Sequence, residues 1–152
     1  MDLFIFGTLL HLPLLGVVSG DPDIAKRISW AVRPEYRVSR VEGHVFPIMH
    51  DDPTGVAEGI IISGLDNGEM ARLDYYEKAF DYARIEFVVL DQDQRPRDVT
   101  GFVPPVGRWN PAETWDREGW IASYGEVTTM TAVEAMATMD SMPAAQMGQL
   151  YP

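Results

Sequence analysis

The sequence predicts an α+β fold: a compact mixed or antiparallel, barrel-like β-sheet with flanking helices. Several β-type segments follow one another without regular helices between them, which disfavours a doubly wound parallel sheet. One capped helix interrupts the strands near the middle of the chain, and further helix-start signals appear only after residue 108. A chain of 152 residues is long enough for one well-packed domain. We therefore expect a single domain over 1–152, with a barrel core at 1–107 and a C-terminal helical extension at 108–152.

Strands are expected where apolar, β-branched and aromatic residues run or alternate between turn signals. The first is the short apolar run at 2–6, which ends at Gly7. Pro13 and Gly16 limit the apolar segment that follows to a turn or two of helix. The other strands are expected at about 26–32, 36–46, 56–65, 83–91 and 98–105, with a turn at 50–55 and a hairpin loop at 92–97.

The central helix is predicted at about 67–78, within the stretch 65–85. Asp66 is a suitable N-cap, and Glu69 stands three residues later, where it completes a capping box. Met70 and Leu73, and then Tyr76 or Glu77, follow at helical spacing and define a face that packs inward. Glu77 ends that face at the border between core and solvent. Burial there would raise the pKa of its carboxyl, as a general acid or base requires; the alternative is a surface glutamate that ends a helix.

Two helices are expected in the C-terminal part. Asn110 as N-cap and Pro111 at the first helical position predict a helix over about 111–124. A second capping-box pattern at 131–134 predicts a Met- and Ala-rich helix to about 140, whose methionines suit a core or a homodimer interface. Tryptophans 109, 115 and 120 are expected to anchor these helices to the barrel.

The composition disfavours several classes of binding partner and of functional site. The formal net charge of −11 disfavours nucleic acid and anionic membrane surfaces. The absence of cysteine excludes disulfides and a thiol nucleophile. His44, His50, Asp51 and Asp52 match no standard metal-site spacing, so no metal site is expected. The N-terminus lacks a signal-peptide pattern, and we expect a cytoplasmic protein.

The turn after the first strand is a second candidate for chemistry. A buried strand that ends in glycine lets the following backbone N–H groups converge on one point, where they bind a carboxylate or an oxyanion. Gly7 provides the turn, and Thr8 adds a hydroxyl. The alternative is a turn that only connects two elements.

Together, these stretches resemble the gamma-glutamylcyclotransferase-like family over about residues 1–90. The N-terminal family motif reads Phe6-Gly7-Thr8-Leu9 here, with Phe6 where the family carries tyrosine. The later motif is the segment 70–77, MARLDYYE, which ends at Glu77. The remaining matches are Tyr82 and Arg84 after this segment, and Phe46-Pro47 and Val56–Gly59 between the two motifs.

The resemblance implies a compact barrel whose pocket lies between the N-terminal loop and the glutamate. The N–H groups of Gly7, Thr8 and Leu9 would hold a gamma-glutamyl group, with Phe6 and Tyr82 also at the pocket. Glu77 would act as general base and then acid, in a transferase or lyase reaction that releases 5-oxoproline from a small gamma-glutamyl compound. No cofactor is implied.

The resemblance also leaves a second function open. Some relatives are non-catalytic small-ligand-binding or regulatory modules, and some are fused to a C-terminal Nudix hydrolase domain. Residues 1–152 contain no Nudix box, so we expect any such domain to follow residue 152.

Overall fold

The computed structural model describes residues 1–152. The strands are β1 Leu3–Ile5, β2 Ile28–Val41, β3 Pro47–Ile62, β4 Ala83–Leu90, β5 Pro96–Val103 and β6 Pro111–Thr114. The α-helices are α1 Leu12–Ser19, α2 Asn67–Lys78, α3 Arg117–Trp120, α4 Glu126–Ala137 and α5 Ala144–Met147. Short 3₁₀ turns lie at Thr8–Leu10, Ile24–Arg27 and Gly148–Leu150, and a π-helical turn at Ile121–Gly125 joins α3 to α4.

Five strands close into a mixed barrel. The ring runs β3–β1–β5–β4–β2 and returns to β3 through the β2–β3 pairing, while β6 pairs with β2 outside the ring. The β1–β5 pairing is parallel and the others in the ring are antiparallel. Closure removes exposed strand edges. The predicted α+β barrel with flanking helices is therefore confirmed.

The two faces of the barrel form two cores. Along β1, successive side chains point to opposite faces. Phe4 belongs to the inner core, whereas Leu3 and Ile5 belong to the outer core that packs against the helices. Strands β1 and β3 approach each other closely at Gly59. A Cβ at this position would lie 2.2 Å from the carbonyl oxygen of Ile5. The inner core consists of Phe4, Phe6, Ala31, Met49, Ala57, Ile61, Val89 and Val99.

The predicted turn at 50–55 is wrong, because β3 runs through it. The two strands predicted at 26–32 and 36–46 are likewise one strand, β2, which pairs with β3 along most of its length. Turn-forming residues are accommodated in a bulge: Pro34 pairs with Val56, but Tyr36 pairs with Asp51. Residues 52–55 have no partner in β2, and the N–H of Thr54 donates to Asp52 Oδ1 at 3.1 Å, so the turn preference is confined to a bulge inside a long strand.

The helix predicted at 111–124 is wrong at its start. Residues 111–114 form β6 on the outside of β2, and the helix begins only at Arg117, with the Asp116 carboxylate accepting from the N–H of Gly119 at 3.0 Å. The next helix, α4, begins at Glu126 rather than near 131. By contrast, α2 spans 67–78 as predicted. None of the helices is long and apolar enough to cross a membrane.

Candidate active site

A cavity lies between the turn after β1, the start of β3 and the end of α2. The space between its lining residues, including the open solvent at its mouth, is about 400 Å³. All six site residues predicted from the sequence line this cavity, so the structure brings the whole set together. They are Phe6, Gly7, Thr8, Leu9, Glu77 and Tyr82. We call it the Glu77 cavity. Its lining residues are Phe4, Ile5, Phe6, Gly7, Thr8, Leu9, Phe46, Pro47, Glu77, Phe80, Tyr82 and Phe102.

The turn after β1 presents backbone donors at one end of the cavity. The N–H of Leu10 donates to the carbonyl of Gly7 at 3.0 Å, which closes the 3₁₀ turn. No hydrogen bond of the turns and loops uses the N–H of Gly7, Thr8 or Leu9 as donor. A Cβ at Gly7 would lie 3.3 Å from Cγ of Pro47, so glycine allows the turn to pass close to the start of β3. The turn therefore has amides available for an anionic oxygen.

Helix α2 delivers Glu77 to the same cavity. The helix begins with the predicted capping box: the N–H of Glu69 donates to Asp66 Oδ1 at 2.8 Å, and the N–H of Asp66 donates to Glu69 Oε1 at 3.1 Å. Glu77 lies in the last turn, where the carbonyl of its backbone accepts from the N–H groups of Phe80 and Tyr82. These contacts fix the end of the helix and thus the position from which the Glu77 side chain extends.

The environment of the Glu77 carboxyl favours its protonated form. The side chain is only partly exposed, and it makes no hydrogen bond or ion pair with another protein group. Burial raises the pKa of Glu77 to about 8, and the nearby carboxylate of Asp74 adds to the rise. A carboxyl with a pKa near neutrality is suited to both accept and return a proton.

Aromatic rings form the wall around this carboxyl. The rings of Phe46 and Phe80 lie 5.2 Å apart, and Tyr82 packs against both. The Tyr82 hydroxyl donates to the carbonyl of Pro47 at 2.7 Å, and burial raises its pKa well above the usual value. Tyr82 thus lines the cavity with its ring, while its hydroxyl secures the start of β3.

Sequence reasoning assigned no site role to several residues of this region. Phe80 and Phe102 line the cavity, and Tyr76 hydrogen-bonds to Thr8 behind it, with the two hydroxyl oxygens 2.8 Å apart. Helical spacing allowed either Tyr76 or Glu77 to face inward. In the structure Tyr76 enters the core and Glu77 faces the cavity. Neither phenylalanine carries a motif signal.

The other sequence candidates lie outside the cavity. His50 Nε2 lies 2.8 Å from the buried Ser39 hydroxyl, and His44 packs against the rings of Phe46 and Trp109. No group of three or more His, Asp or Glu side chains is placed to hold a metal ion. Trp115 donates its Nε1–H to the carbonyl of Val45 at 3.2 Å, which ties the segment after β6 to the barrel.

Comparison with known proteins places this arrangement in context. Residues 3–123 match the family model described as gamma-glutamyl cyclotransferase, AIG2-like. AIG2-like protein B of Arabidopsis thaliana is 23% identical over 122 residues, which cover 78% of this chain and 68% of that protein.

Solved structures share the fold. The solution structure of an Arabidopsis thaliana protein matches with a TM-score of 0.62 at 19% identity, over 93% of both chains. A structure described as gamma-glutamyl cyclotransferase matches with a TM-score of 0.61 at 13% identity, over 93% of this chain and 88% of that chain.

Proposed function

We propose that this chain, which belongs to the gamma-glutamyl cyclotransferase, AIG2-like family, cyclises a small gamma-glutamyl amine or peptide to 5-oxoproline and releases the amine. The observation that carries the proposal is that Glu77, with a pKa raised to about 8, lines the same cavity as the Gly7–Leu9 turn. One group that moves protons and one set of donors for anionic oxygen are what this reaction needs.

The proposed reaction uses one proton carrier. Ionised Glu77 removes a proton from the α-ammonium of the substrate, and the free amine attacks the side-chain amide carbonyl. The new N–C bond closes the five-membered ring, and Glu77 returns its proton to the leaving nitrogen as the old C–N bond breaks. The ring nitrogen then gives its second proton to the released amine, which leaves as an ammonium. Because the attack is intramolecular, positioning supplies much of the rate. The N–H groups of Gly7, Thr8 and Leu9 hold a substrate carboxylate or the developing oxyanion.

The aromatic wall supports this chemistry in two ways. Phe46, Phe80 and Tyr82 limit the access of water to the Glu77 carboxyl, which keeps its pKa high. The same apolar surroundings strengthen each hydrogen bond from the turn to a charged oxygen, since the local dielectric constant is low.

The experiment is 5-oxoproline release from a panel of gamma-glutamyl amines and dipeptides. Glu77→Gln preserves the size of the side chain but removes the titrating group, so we expect the turnover rate to fall by a factor of ~10³. Glu134→Gln is the matched control, because Glu134 is an exposed helical glutamate far from the cavity lining. Circular dichroism and thermal melting confirm that each variant is folded.

Three outcomes separate the possibilities. Loss of turnover in Glu77→Gln but not in Glu134→Gln supports the proposal. Full turnover in folded Glu77→Gln assigns the proton transfer to another group. If native protein turns over no member of the panel but binds gamma-glutamyl compounds in calorimetry, the chain is a ligand-binding module instead.

A further inference from the structure

The hydroxyl of Tyr76 lies directly behind the turn that carries the backbone donors. Tyr76 is only 1% exposed, and its hydroxyl oxygen lies 2.8 Å from the hydroxyl oxygen of Thr8. Its ring packs against Phe80 and Tyr151, with centroid distances of 5.3 Å to each. Helix α2 and these rings therefore hold the phenol at a fixed point beside the turn.

The direction of this hydrogen bond follows from burial. The Tyr76 hydroxyl has no other hydrogen-bond partner, and burial raises its pKa well above the usual value, so the phenol keeps its proton. A buried donor without an acceptor is costly, and Thr8 Oγ1 is the acceptor available. The phenol therefore donates to Thr8.

Because the Tyr76 phenol is the donor, the hydroxyl proton of Thr8 is available to another acceptor. Oγ1 of Thr8 makes no other hydrogen bond, and Thr8 lines the Glu77 cavity. A threonine hydroxyl that accepts one hydrogen bond still has its own O–H to donate. Within the cavity the acceptor would be an oxygen of the bound ligand.

We propose that Tyr76 is a positioning residue, which orients the Thr8 hydroxyl into the cavity as a hydrogen-bond donor to an anionic oxygen of the ligand. The ligand class, a gamma-glutamyl compound, rests on the proposed function. The Tyr76–Thr8 pair also supplies a hydroxyl on the turn, where Phe6 has none because it replaces the tyrosine of the family motif. Since Tyr76 directly precedes Glu77, one helical turn fixes both this donor and the proton carrier.

The test removes the phenol oxygen and compares it with a matched neighbour. Tyr76→Phe keeps the ring, and we expect kcat/KM for 5-oxoproline release to fall at least ~10-fold. Tyr75→Phe is the control, because the Tyr75 hydroxyl on the same helix donates to the carbonyl of Met142 at 3.0 Å and does not line the cavity. The control should stay within ~2-fold of native.

Substitutions at Thr8 complete the test. Thr8→Val should lose at least as much kcat/KM as Tyr76→Phe, and Thr8→Ser should recover most of it. The double variant should be no worse than Thr8→Val alone, because both changes remove the same interaction. A change confined to KM points to a ground-state carboxylate as the acceptor, and a change in kcat points to the oxyanion.

Each result decides a separate question. If native protein is active but Tyr76→Phe matches Tyr75→Phe, or the losses at Thr8 and Tyr76 add, the positioning role is overturned. If Tyr76→Phe does not fold, unchanged kcat/KM in Thr8→Val overturns it. If native protein binds 5-oxoproline without turnover, the proposed function fails, and dissociation constants of the same variants test Tyr76. If it neither turns over nor binds, both proposals fail.

Discussion

Helix α2 carries two glutamates, one at each end, and their surroundings differ. Both side chains are only partly exposed. Glu69 accepts from Arg27 Nη1 at 2.6 Å and from Nη2 at 3.2 Å, as well as from the N–H of Asp66, and these contacts hold its pKa below the usual value. Glu77 has no such partner, and its pKa is raised to about 8.

The effect of burial on a carboxyl depends on the groups that surround it. Burial tends to raise the pKa at both positions. At Glu69 the hydrogen bonds from a cation and a backbone amide outweigh this effect, whereas at Glu77 nothing opposes it. Glu69, at the N-terminal end of the helix, therefore stabilises the structure, whereas Glu77, at the C-terminal end, has a carboxyl that titrates near neutral pH.

The largest expected effect is on the pH dependence of turnover. If Glu77 acts as the base, it must be ionised, so kcat/KM for 5-oxoproline release should rise about tenfold per pH unit below its pKa of about 8. Between pH 6 and pH 8 the rise should be ~50-fold, because half of the carboxyl is ionised when the pH equals its pKa. Initial rates on one gamma-glutamyl substrate measure it. A profile that is flat over this range would contradict the role of Glu77.

The second effect is on stability at alkaline pH. Since Glu77 has a higher pKa in the folded chain than in the unfolded chain, its contribution to stability is lost as the pH rises through about 8. Glu77→Gln should therefore match native protein near pH 4 and exceed it near pH 9 by ~4 kcal/mol in the free energy of unfolding. Urea unfolding at both pH values measures the difference. Equal stability at pH 9 would show that Glu77 is well solvated.

The smallest effect is at the structural end of the helix. Glu69→Gln weakens the pairing with Arg27 and should lower the free energy of unfolding by ~1 kcal/mol at pH 7. Because the folded-state pKa of Glu69 is lowered, this difference should persist above the unfolded-state pKa and disappear as the pH falls through the folded value. Glu134→Gln, measured in parallel, should change neither the free energy of unfolding at pH 7 nor its dependence on pH. A loss of similar size in this variant would contradict a specific contribution from Glu69.

Much of the candidate site was accessible from the sequence because its parts carry local signals. The capping residues Asp66 and Glu69 determine where α2 begins, and the length of the helix then places Glu77 at its end. Gly7 marks the turn after β1. The approach of these two segments, however, depends on barrel closure, which the resemblance to a known family implied and local signals did not.

The errors arose where distant pairing opposed local preference. Residues 50–55 have the composition of a turn but lie in β3, since pairing with β2 satisfies their neighbours and a bulge absorbs the mismatch. Asn110 and Pro111 look like a helix start, yet residues 111–114 add a strand to β2. At 111–114 the pairing with β2 decides the structure, and at 50–55 the pairing of the flanking residues keeps the segment within the strand.

Local interactions already specify the central helix, the glycine turn and the acidic surface, because capping, backbone freedom and charge act between near neighbours. The closed barrel is what leaves Glu77 without a partner, brings the hydroxyls of Tyr76 and Thr8 together, and makes the 6–9 turn, Glu77 and Tyr82 share one cavity. A pKa and a hydrogen bond depend on distances of a few ångströms between segments far apart in the chain, and those distances exist only after the barrel has closed.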